Sequence, residues 1–429
     1  MIKVTRLASL MTLSLLGASA ASATNTNAVV EWNEIAMTAI TAQRPGPQGM
    51  LDVALVHIAV HDAVQSLEKR FEPYNVEIKG AKGSRTAAVA AAAHGVLVGM
   101  YKGTPQETTV DTAYHQYVAN RGLMGDPGLE LGHTVAERIL PLRRKTPNPE
   151  PEFVGGTQIG QWRPEGSNTK MVTSWLGATD PFTLTGPARF RADAPPALTS
   201  ERYVKDYDEV KAIGSVNSTV RTAEQTDLAH FYNDNFFNQW NRALRSLSTR
   251  YALNTGDSAR LFALANMAAA DALITCWDSK THYALWRPST AIQYGDVDGN
   301  PKTVGDPSWQ PLTPNPSYPD YTSGANNLIG ATTRTMELVF GTDRKTFEVT
   351  SLNPNVVKKT RVYRRFSDAS LDAVEARIYL GIHFRFADVA AREQGRNVAD
   401  WAFKHFLLPK DRKGNKDRWD DAKMTDMVE

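Results

Sequence analysis

The sequence predicts an all-α fold, a large helical bundle with long, proline-rich loops. Through most of its 429 residues, apolar side chains recur at intervals of three and four, which is the period of a helix with one buried face. Alternating patterns typical of strands are nearly absent. Alanine is abundant, above all between Ala87 and Ala93, which favours closely packed helices. With 42% apolar and 22% charged residues, the chain has the composition of an ordinary globular protein.

The first 23 residues have the pattern of a secretory signal peptide. Lys3 and Arg6 form a short basic region, an apolar run follows at 7–17, and Ala21 and Ala23 are the small residues that a signal peptidase recognises. The run is too short to span a bilayer of about 30 Å. We expect cleavage after residue 23 and a periplasmic or secreted mature protein.

Charge and cysteine content exclude several classes of function. The 48 basic and 46 acidic residues give a net charge of +2, and the mature chain would carry 46 of each sign, so nothing indicates nucleic-acid binding. Cys276 is the only cysteine, which excludes an intramolecular disulfide and any multi-cysteine metal site. No later stretch is apolar enough to predict a membrane span in the mature chain. The oligomeric state stays open.

The helical pattern runs through most of residues 24–408, which we predict to form one helical domain ahead of a charged, solvated tail at 409–429. Two irregular stretches interrupt it. Residues 146–196 hold eight prolines but also several aromatic residues, which indicates an ordered excursion over the helical core. Residues 295–321 hold six prolines. Helices are predicted at 29–43, 50–69, 85–101, 109–120, 128–144, 200–213, 222–246, 257–283, 323–340 and 367–406.

Three short blocks late in the chain carry candidate chemistry. The first runs from Lys280 to Arg287 and Pro288, the second contains Ser323 and Gly324 at a predicted helix start, and the third runs from Arg377 to His383. Lys280 and Arg287 lie two helical turns apart, so both can face one side of a helix. Arg377 and His383 have nearly the same spacing.

Together the blocks supply three cations, a helix N-terminus and an imidazole, which suits a multiply charged tetrahedral oxyanion. Each block alone has a plain structural interpretation. Lysine and arginine at this spacing are usually a solvated helix face, and a serine before a helix is usually a cap. An arginine six residues before a histidine is common by chance. The combination in this order is much more specific.

The blocks resemble the signature of the vanadium-dependent haloperoxidase and type 2 phosphatidic acid phosphatase superfamily: Lys-x6-Arg-Pro, then Pro-Ser-Gly-His, then Ser-Arg-x5-His. Further stretches, such as Asn233 to Asn241, resemble its soluble, secreted bacterial haloperoxidase-like branch. The likeness covers residues 30–406. It implies an all-α fold built around two four-helix bundles, with the anion site at 277–388.

The resemblance also implies residue roles. Lys280, Arg287 and Arg377 would neutralise the oxyanion, and Ser323 and the Gly324 N–H would bond it. The axial group would be His383, which binds vanadium directly in the peroxidases and attacks phosphorus in the phosphatases. Vanadate is the implied cofactor, with phosphate as a competing anion. The implied substrates are hydrogen peroxide and a halide, or a phosphoester. Trp277 and Tyr318 are expected beside the pocket.

This chain departs from the signature at the acid–base histidine, where it has Ala325. Such a group is typically worth about 10²–10⁴ in rate. Ala376 also replaces the serine before the third-block arginine. Candidate replacements for the lost group are His282, Asp320 and the amides of Asn326 and Asn327. His282 alone titrates near neutral pH, but its spacing from Lys280 directs it elsewhere on the helix.

Three functions stay open at this point. The leading one is a vanadium-haloperoxidase-like protein whose peroxidase activity is impaired by Ala325. The second is a phosphomonoesterase that acts through a phosphohistidine at His383. The third is a non-catalytic oxyanion-binding protein.

Overall fold

The computed structural model describes residues 27–410. The predicted signal peptide and residues 411–429 of the predicted tail lie outside the described residues. The described part is mostly helical, which confirms the predicted all-α class. Its thirteen α-helices are α1 Ala28–Gln43, α2 Gly49–Glu68, α3 Arg85–Met100, α4 Pro105–Asn120, α5 Pro127–Ile139, α6 Glu201–Ile213, α7 Ala223–Phe231, α8 Phe236–Arg250, α9 Thr255–Tyr283, α10 Pro288–Gln293, α11 Gly324–Phe340, α12 Phe366–Tyr379 and α13 Arg385–His405.

The helices form two packed groups. In the first, α3 packs on α2 and α5, with α1 and α4 alongside. The alanines of α3 from Ala87 to Ala93 are all fully buried there, and their small side chains let the neighbouring helices approach closely. In the second group, α11 packs on α9, α12 and α13, and α9 also contacts α2 and so joins the two groups.

The proline-rich excursion lies directly over α9 and the segment that follows it. The Trp162 N–H donates to the Ala284 carbonyl at 2.7 Å, and the Trp286 N–H donates to the Gly160 carbonyl at 2.9 Å. Further along, the buried Asp271 of α9 accepts hydrogen bonds from the backbone of Phe182 and Thr183. These contacts agree with the predicted ordered excursion over the helical core.

Two helices predicted as continuous are each broken in the structure. The predicted helix at 222–246 is α7 and α8, because the Asn235 side chain accepts from the Asn238 N–H and begins a new helix. The predicted helix at 367–406 is α12 and α13, separated by residues 380–384. Gly381 lies there at φ 77°, and a Cβ would be only 2.3 Å from the Gly214 carbonyl oxygen, so glycine is required. His383 therefore lies in a linker and not on a helix with Arg377.

A short antiparallel hairpin was not predicted. Strands β1 (Phe347–Thr350) and β2 (Thr360–Tyr363) pair from Phe347 with Tyr363 to Thr350 with Thr360. Each strand is only four residues long, and one side of the hairpin faces the core while the other faces water. Four residues are too few for an alternating pattern to stand out from the helical sequence around it.

Helices α11 and α13 approach very closely, which brings their N-termini together. A Cβ on Gly395 would lie 2.0 Å from the Asn327 carbonyl oxygen, and a Cβ on Gly330 would lie 2.4 Å from that of Arg392. Only glycine allows this separation of the two backbones. The candidate site lies at these N-termini.

Two described helices, α2 and α9, have the length and hydropathy of a membrane span. The relevant windows have mean hydropathies of 1.2 and 1.3, and 94% and 100% of their residues are buried inside the protein. Central helices of a bundle show the same burial, so the two helices are weak evidence for a span.

Candidate active site

The structure brings the three sequence blocks together at the ends of five helices. Lys280 lies in the last turn of α9, Arg287 precedes α10, and Ser323 precedes α11. Arg377 lies in the last turn of α12, and His383 follows in the linker to α13. All five side chains are buried, with at most 6% of the residue exposed. Since the three cations all act electrostatically on His383, the blocks form one site.

Aromatic rings pack against two of the cations. The Tyr318 ring centroid lies 4.8 Å from Lys280 Nζ and 5.0 Å from Arg287 Cζ, within the range of cation–π attraction. Trp277 packs on Tyr318 with 5.0 Å between ring centroids. The two aromatic residues expected beside the pocket thus lie against its cations.

Lys280 and Arg287 hold the backbone of the site in place. Lys280 Nζ donates to the carbonyl oxygens of Pro319 at 2.5 Å and Asp320 at 3.2 Å. Arg287 donates from Nε to the Tyr318 carbonyl at 2.8 Å and from Nη1 to the Ile382 carbonyl at 2.5 Å. The two cations therefore fix the segment before α11 and the linker before His383.

Three buried donors at the centre of the site have no hydrogen-bond partner. They are Arg287 Nη2, Arg377 Nε and Ser323 Oγ. The Ser323 side chain does not cap α11, which leaves the first N–H groups of that helix, including that of Gly324, without a side-chain acceptor. Buried polar groups in folded proteins are nearly always bonded, so donors left open together indicate a place for an acceptor-rich ligand.

Gly324 has a steric reason to be glycine. A Cβ at this position would lie 3.1 Å from Trp277 Cζ3, tighter than an ordinary contact. The absence of a side chain keeps the N-terminus of α11 close to the aromatic wall and leaves its N–H groups accessible from the pocket.

His383 is paired with the buried carboxyl group of Asp320, whose pKa burial raises well above its usual range against the opposing charges of Arg287 and Lys280. His383 Nδ1 lies 2.5 Å from Asp320 Oδ1, and both side chains are essentially inaccessible to water. Burial, together with the charges of Arg287, Lys280 and Arg377, holds the pKa of His383 well below its usual range, so the imidazole is neutral. A neutral ring that donates Nδ1–H to Asp320 carries its lone pair on Nε2. The sequence had offered Asp320 only as a substitute for the lost acid–base group.

The three cations are held in an environment that disfavours their charge. Burial, together with the nearby charge of Arg287, lowers the pKa of Lys280 to about 7. Burial also lowers the pKa of Arg287 and of Arg377. A bound anion would offset the unfavourable free energy of burying these three charges. This is expected of a binding site and not of a structural ion pair.

Position 325, where the superfamily signature has a histidine, has no side chain that can exchange a proton. Ala325 is buried with 3% exposure in the first turn of α11. Asn326 donates from Nδ2 to Asp388 Oδ1 at 2.7 Å. His282 is exposed and packs against Tyr283 at the surface, so the structure does not bring it into the site. Asp388, which sequence reasoning missed, lies in the first turn of α13 and is fully buried.

The proline-rich excursion forms one wall of the site region. Trp277 Nε1 donates to the Val172 carbonyl at 3.4 Å, and the Val172 N–H donates to the Ser317 carbonyl at 2.9 Å. Glu165 accepts hydrogen bonds from Ser289 and Asn315, which anchors the excursion to α10. The sequence left the role of residues 146–196 open. In the structure this segment covers the first block.

Comparison with known proteins connects this geometry to a family. Residues 260–409 match the family described as the VCPO second helical-bundle domain. The vanadium chloroperoxidase of Curvularia inaequalis is 23% identical, with an alignment over 86% of this chain and 80% of that protein. The chain is therefore similar to vanadium haloperoxidases over most of its length, and its residues 260–409 match the model of their second helical-bundle domain.

Solved vanadium haloperoxidase structures share the fold. A bacterial vanadium-dependent iodoperoxidase superimposes with a TM-score of 0.76 at 20% identity, over 89% of this chain and 98% of that one. A bacterial vanadium-dependent chloroperoxidase in its holo form gives a TM-score of 0.67 at 18% identity, over 84% and 92%. Its apo form gives 0.66 at 18% identity, over 83% and 92%. The predicted haloperoxidase-like architecture is thereby confirmed.

Proposed function

We propose that this protein is vanadium-haloperoxidase-like in function and binds vanadate, or phosphate in its place, between Arg287, Arg377 and Ser323. The observation that carries the proposal is that each of these three residues has a buried donor without a partner. Donors of this kind are costly in an empty pocket and favourable around an anion with several acceptor oxygens.

The donor chemistry fits a tetrahedral oxyanion. Two guanidinium groups, a hydroxyl and a helix N-terminus would bond its oxygens, and Lys280 would add charge from behind the segment that it holds. The neutral His383 would face it with the Nε2 lone pair. Vanadate bound in this way would supply the centre that activates hydrogen peroxide for halide oxidation. The protein's own part is to bind the anion, orient the imidazole and exclude water.

Ala325 limits the turnover that this site would reach. A methyl group neither donates nor accepts a proton, and loss of a general acid–base group typically costs about 10²–10⁴ in rate. We therefore propose a peroxidase that is slow by the usual route, while its affinity for the anion is retained.

A second function is favoured by the pairing of His383 with Asp320. A carboxylate that accepts Nδ1–H makes the other ring nitrogen more basic and more nucleophilic. Such a histidine suits a phosphomonoesterase that forms a phosphohistidine, with substrates whose leaving group needs little protonation. A protein that binds the anion without turnover is the remaining possibility.

The expected location follows from the N-terminal sequence. We propose that residues 1–23 direct the chain to the periplasm or out of the cell, where peroxide, halide or phosphoesters would reach the site from the surrounding medium.

The test is a comparison of anion binding and activity in the wild type and in His383→Ala. We expect orthovanadate or phosphate at about 100 times its Kd to stabilise the wild type by about 2.7 kcal/mol, seen as a rise in Tm. Halide oxidation by peroxide that requires vanadate identifies the peroxidase, and hydrolysis of an activated aryl phosphate without vanadate identifies the phosphatase. Either activity is expected to disappear in His383→Ala.

Ala325→His sharpens the same experiment. If the pocket is otherwise intact, the restored imidazole raises turnover by a factor within the usual range of about 10²–10⁴. Binding without either activity, in the wild type and in Ala325→His alike, would indicate the non-catalytic binder. A Tm that responds to neither anion would refute the proposed function.

A further inference from the structure

The site lacks the histidine at 325 but still contains buried groups that carry protons. Asp320 pairs with His383 through Oδ1, although its Oδ2 is also buried without a partner, and Lys280 donates to two backbone carbonyls. Asp388 is the remaining one, and none of the roles assigned so far uses it. It lies where the N-termini of α11 and α13 meet, since the Ser323 N–H points to the carbonyl of Ala387.

One oxygen of Asp388 is fixed and the other is open. Oδ1 accepts from Asn326 Nδ2 at 2.7 Å. Oδ2 is buried and makes no hydrogen bond of good geometry, although the Ser323 hydroxyl lies close enough to the carboxyl group to favour its ionised form. Asp388 also acts electrostatically on Arg377, one of the cations that would hold the anion. A buried carboxyl oxygen without a partner of good geometry therefore lies close to Ser323 and Arg377, two of the residues with unpartnered donors.

The charge state of this carboxyl group decides whether an anion can bind beside it. An ionised carboxylate would repel the oxyanion, and the repulsion would be strong in a buried site that water screens poorly. A protonated carboxyl group has the opposite effect, because its O–H donates a hydrogen bond to an anion oxygen. Binding of the anion must therefore favour the protonated form.

We propose that Asp388 carries the proton at this site, binding the oxyanion as a carboxylic acid whose Oδ2–H donates to it, in place of the histidine missing at 325. This inference rests on the proposed function. It deepens that function by naming the group that exchanges protons with the bound anion. The proton comes from solvent when the anion binds and returns to solvent when it leaves.

The electrostatic surroundings agree with this role. Burial raises the pKa of Asp388 to about 7, although Ser323, Asn326 and Arg377 favour the carboxylate. The charged groups that act on it from the packed elements are Lys280, Arg287, Asp320, Arg377 and Arg385. Below pH 7 the acid is already present. Above pH 7 the protein must take up a proton from solvent when the anion binds, so affinity falls as pH rises.

The experiment measures proton uptake when inorganic phosphate or orthovanadate binds, by titration calorimetry in buffers of different ionisation enthalpy between pH 6 and 9. Asp388→Asn keeps an oxygen that can accept from Asn326 but cannot titrate. At pH 8 we expect the wild type to take up close to one proton more than this variant. The affinity of the wild type for the anion should fall with rising pH more steeply than that of Asp388→Asn, by up to about tenfold per pH unit. Titration of the ligand occurs in both proteins and cancels in the difference. Because Asp388 raises the pKa of Lys280, Lys280 is less protonated in the anion-free variant, and its titration can only make the difference smaller.

Asp372→Asn is the matched control. Asp372 is a partly buried aspartate of α12 whose pKa burial also raises, but it bonds the Tyr363 hydroxyl away from the site. It is expected to behave as the wild type. Equal proton uptake and equal pH dependence in the wild type and Asp388→Asn would overturn the inference. A wild type that binds neither anion at any of these pH values would instead overturn the proposed function.

A second variant covers the case in which Asp388→Asn does not fold. Asn326→Ala removes the amide that donates to Oδ1 and favours the carboxylate, so the pKa of Asp388 should rise. The proton uptake is then expected to move to higher pH. An unchanged pH dependence in this variant would also overturn the inference.

Discussion

Asp52 in α2 and the pocket of Arg287 and Arg377 both bury charge, but they satisfy it in different ways. Asp52 has 1% of its side chain exposed and accepts from Arg44 Nη1 at 2.8 Å, Arg143 Nε at 3.2 Å and the Tyr101 hydroxyl at 2.9 Å. Both of its oxygens are bonded. In the pocket, buried donors on the two arginines and on Ser323 have no partner.

The difference separates a structural cluster from a binding site. At Asp52 the bonds from Arg44, Arg143 and Tyr101 offset the cost of desolvating the charges. The cluster is therefore complete without a ligand. In the pocket the cations are bonded only to backbone carbonyls, and part of their hydrogen-bonding capacity is left for something else. The pocket also buries more charged residues than the Asp52 cluster, and the two differ in whether each polar atom has a partner.

The largest effect is expected from breaking the complete cluster. Asp52→Ala leaves Arg44 and Arg143 without their carboxylate, and removal of one partner from a buried pair typically costs about 3–5 kcal/mol. The exposed pair of Arg250 and Glu348, 3.8 Å apart, provides the control, since Glu348→Gln is expected to cost about 0–1 kcal/mol. Urea unfolding measures both. A cost for Asp52→Ala no larger than the control would contradict the comparison.

An opposite result is expected for the cation in the pocket. Arg377 is 6% exposed and makes a single hydrogen bond, 3.4 Å from Nη1 to the Tyr232 carbonyl. Arg377→Met fills a similar volume without a charge, so the Tm of the anion-free protein should stay equal or rise. Affinity for phosphate or orthovanadate should fall by about 10–100-fold, the value of one or two hydrogen bonds to a charged group.

Arg392→Met is the control for this variant. Arg392 is a partly buried arginine of α13 that bonds the Ser370 hydroxyl, outside the pocket. Its replacement should leave anion affinity unchanged. If Arg377→Met instead destabilised the anion-free protein as much as Asp52→Ala, the guanidinium would have a structural role and the contrast between the two clusters would fail.

Sequence reasoning reached the fold through its helical periodicity and the cations of the site through the order of the three blocks. The expected shared helix face of Lys280 and Arg287 is wrong, because α9 ends at Tyr283 and Arg287 precedes α10. Sequence reasoning also failed at 380–384, where Gly381 at positive φ and its contact with Gly214 end α12. A contact between residues 167 positions apart leaves no trace in the local periodicity, so the helix was predicted to continue through His383.

The acidic residues of the site were harder to assign for a similar reason. Asp320 was noticed, yet its pairing with His383 depends on how the linker folds back over the segment before α11. Asp388 was missed because the continuous helix predicted at 367–406 places it in mid-helix, where a single aspartate usually lies on the solvated face. Only its burial and its unpartnered oxygen distinguish it, and neither can be read from sequence.

The smallest effect, and the most informative about His383, is expected from Asp320→Asn. The amide oxygen can still accept from Nδ1–H, so the ring orientation should be kept while the negative charge is lost. A carboxylate behind a ligating histidine raises its basicity, and loss of such a partner typically costs about 10–100-fold in affinity. We expect about tenfold weaker binding of orthovanadate, at the lower end, because the hydrogen bond survives.

Nitrogen-15 NMR of His383 should show the Nδ1–H tautomer in both the wild type and Asp320→Asn, which separates loss of charge from loss of orientation. Asp298→Asn is the control, since Asp298 is also buried but bonds Thr303 and Asn300 in a loop outside the site. Tighter anion binding in Asp320→Asn would mean that the Asp320 carboxylate repels the anion by more than it strengthens the imidazole. The Asp320 carboxylate would then oppose anion binding by the unpartnered donors of the pocket. Its hydrogen bond would only orient the His383 ring.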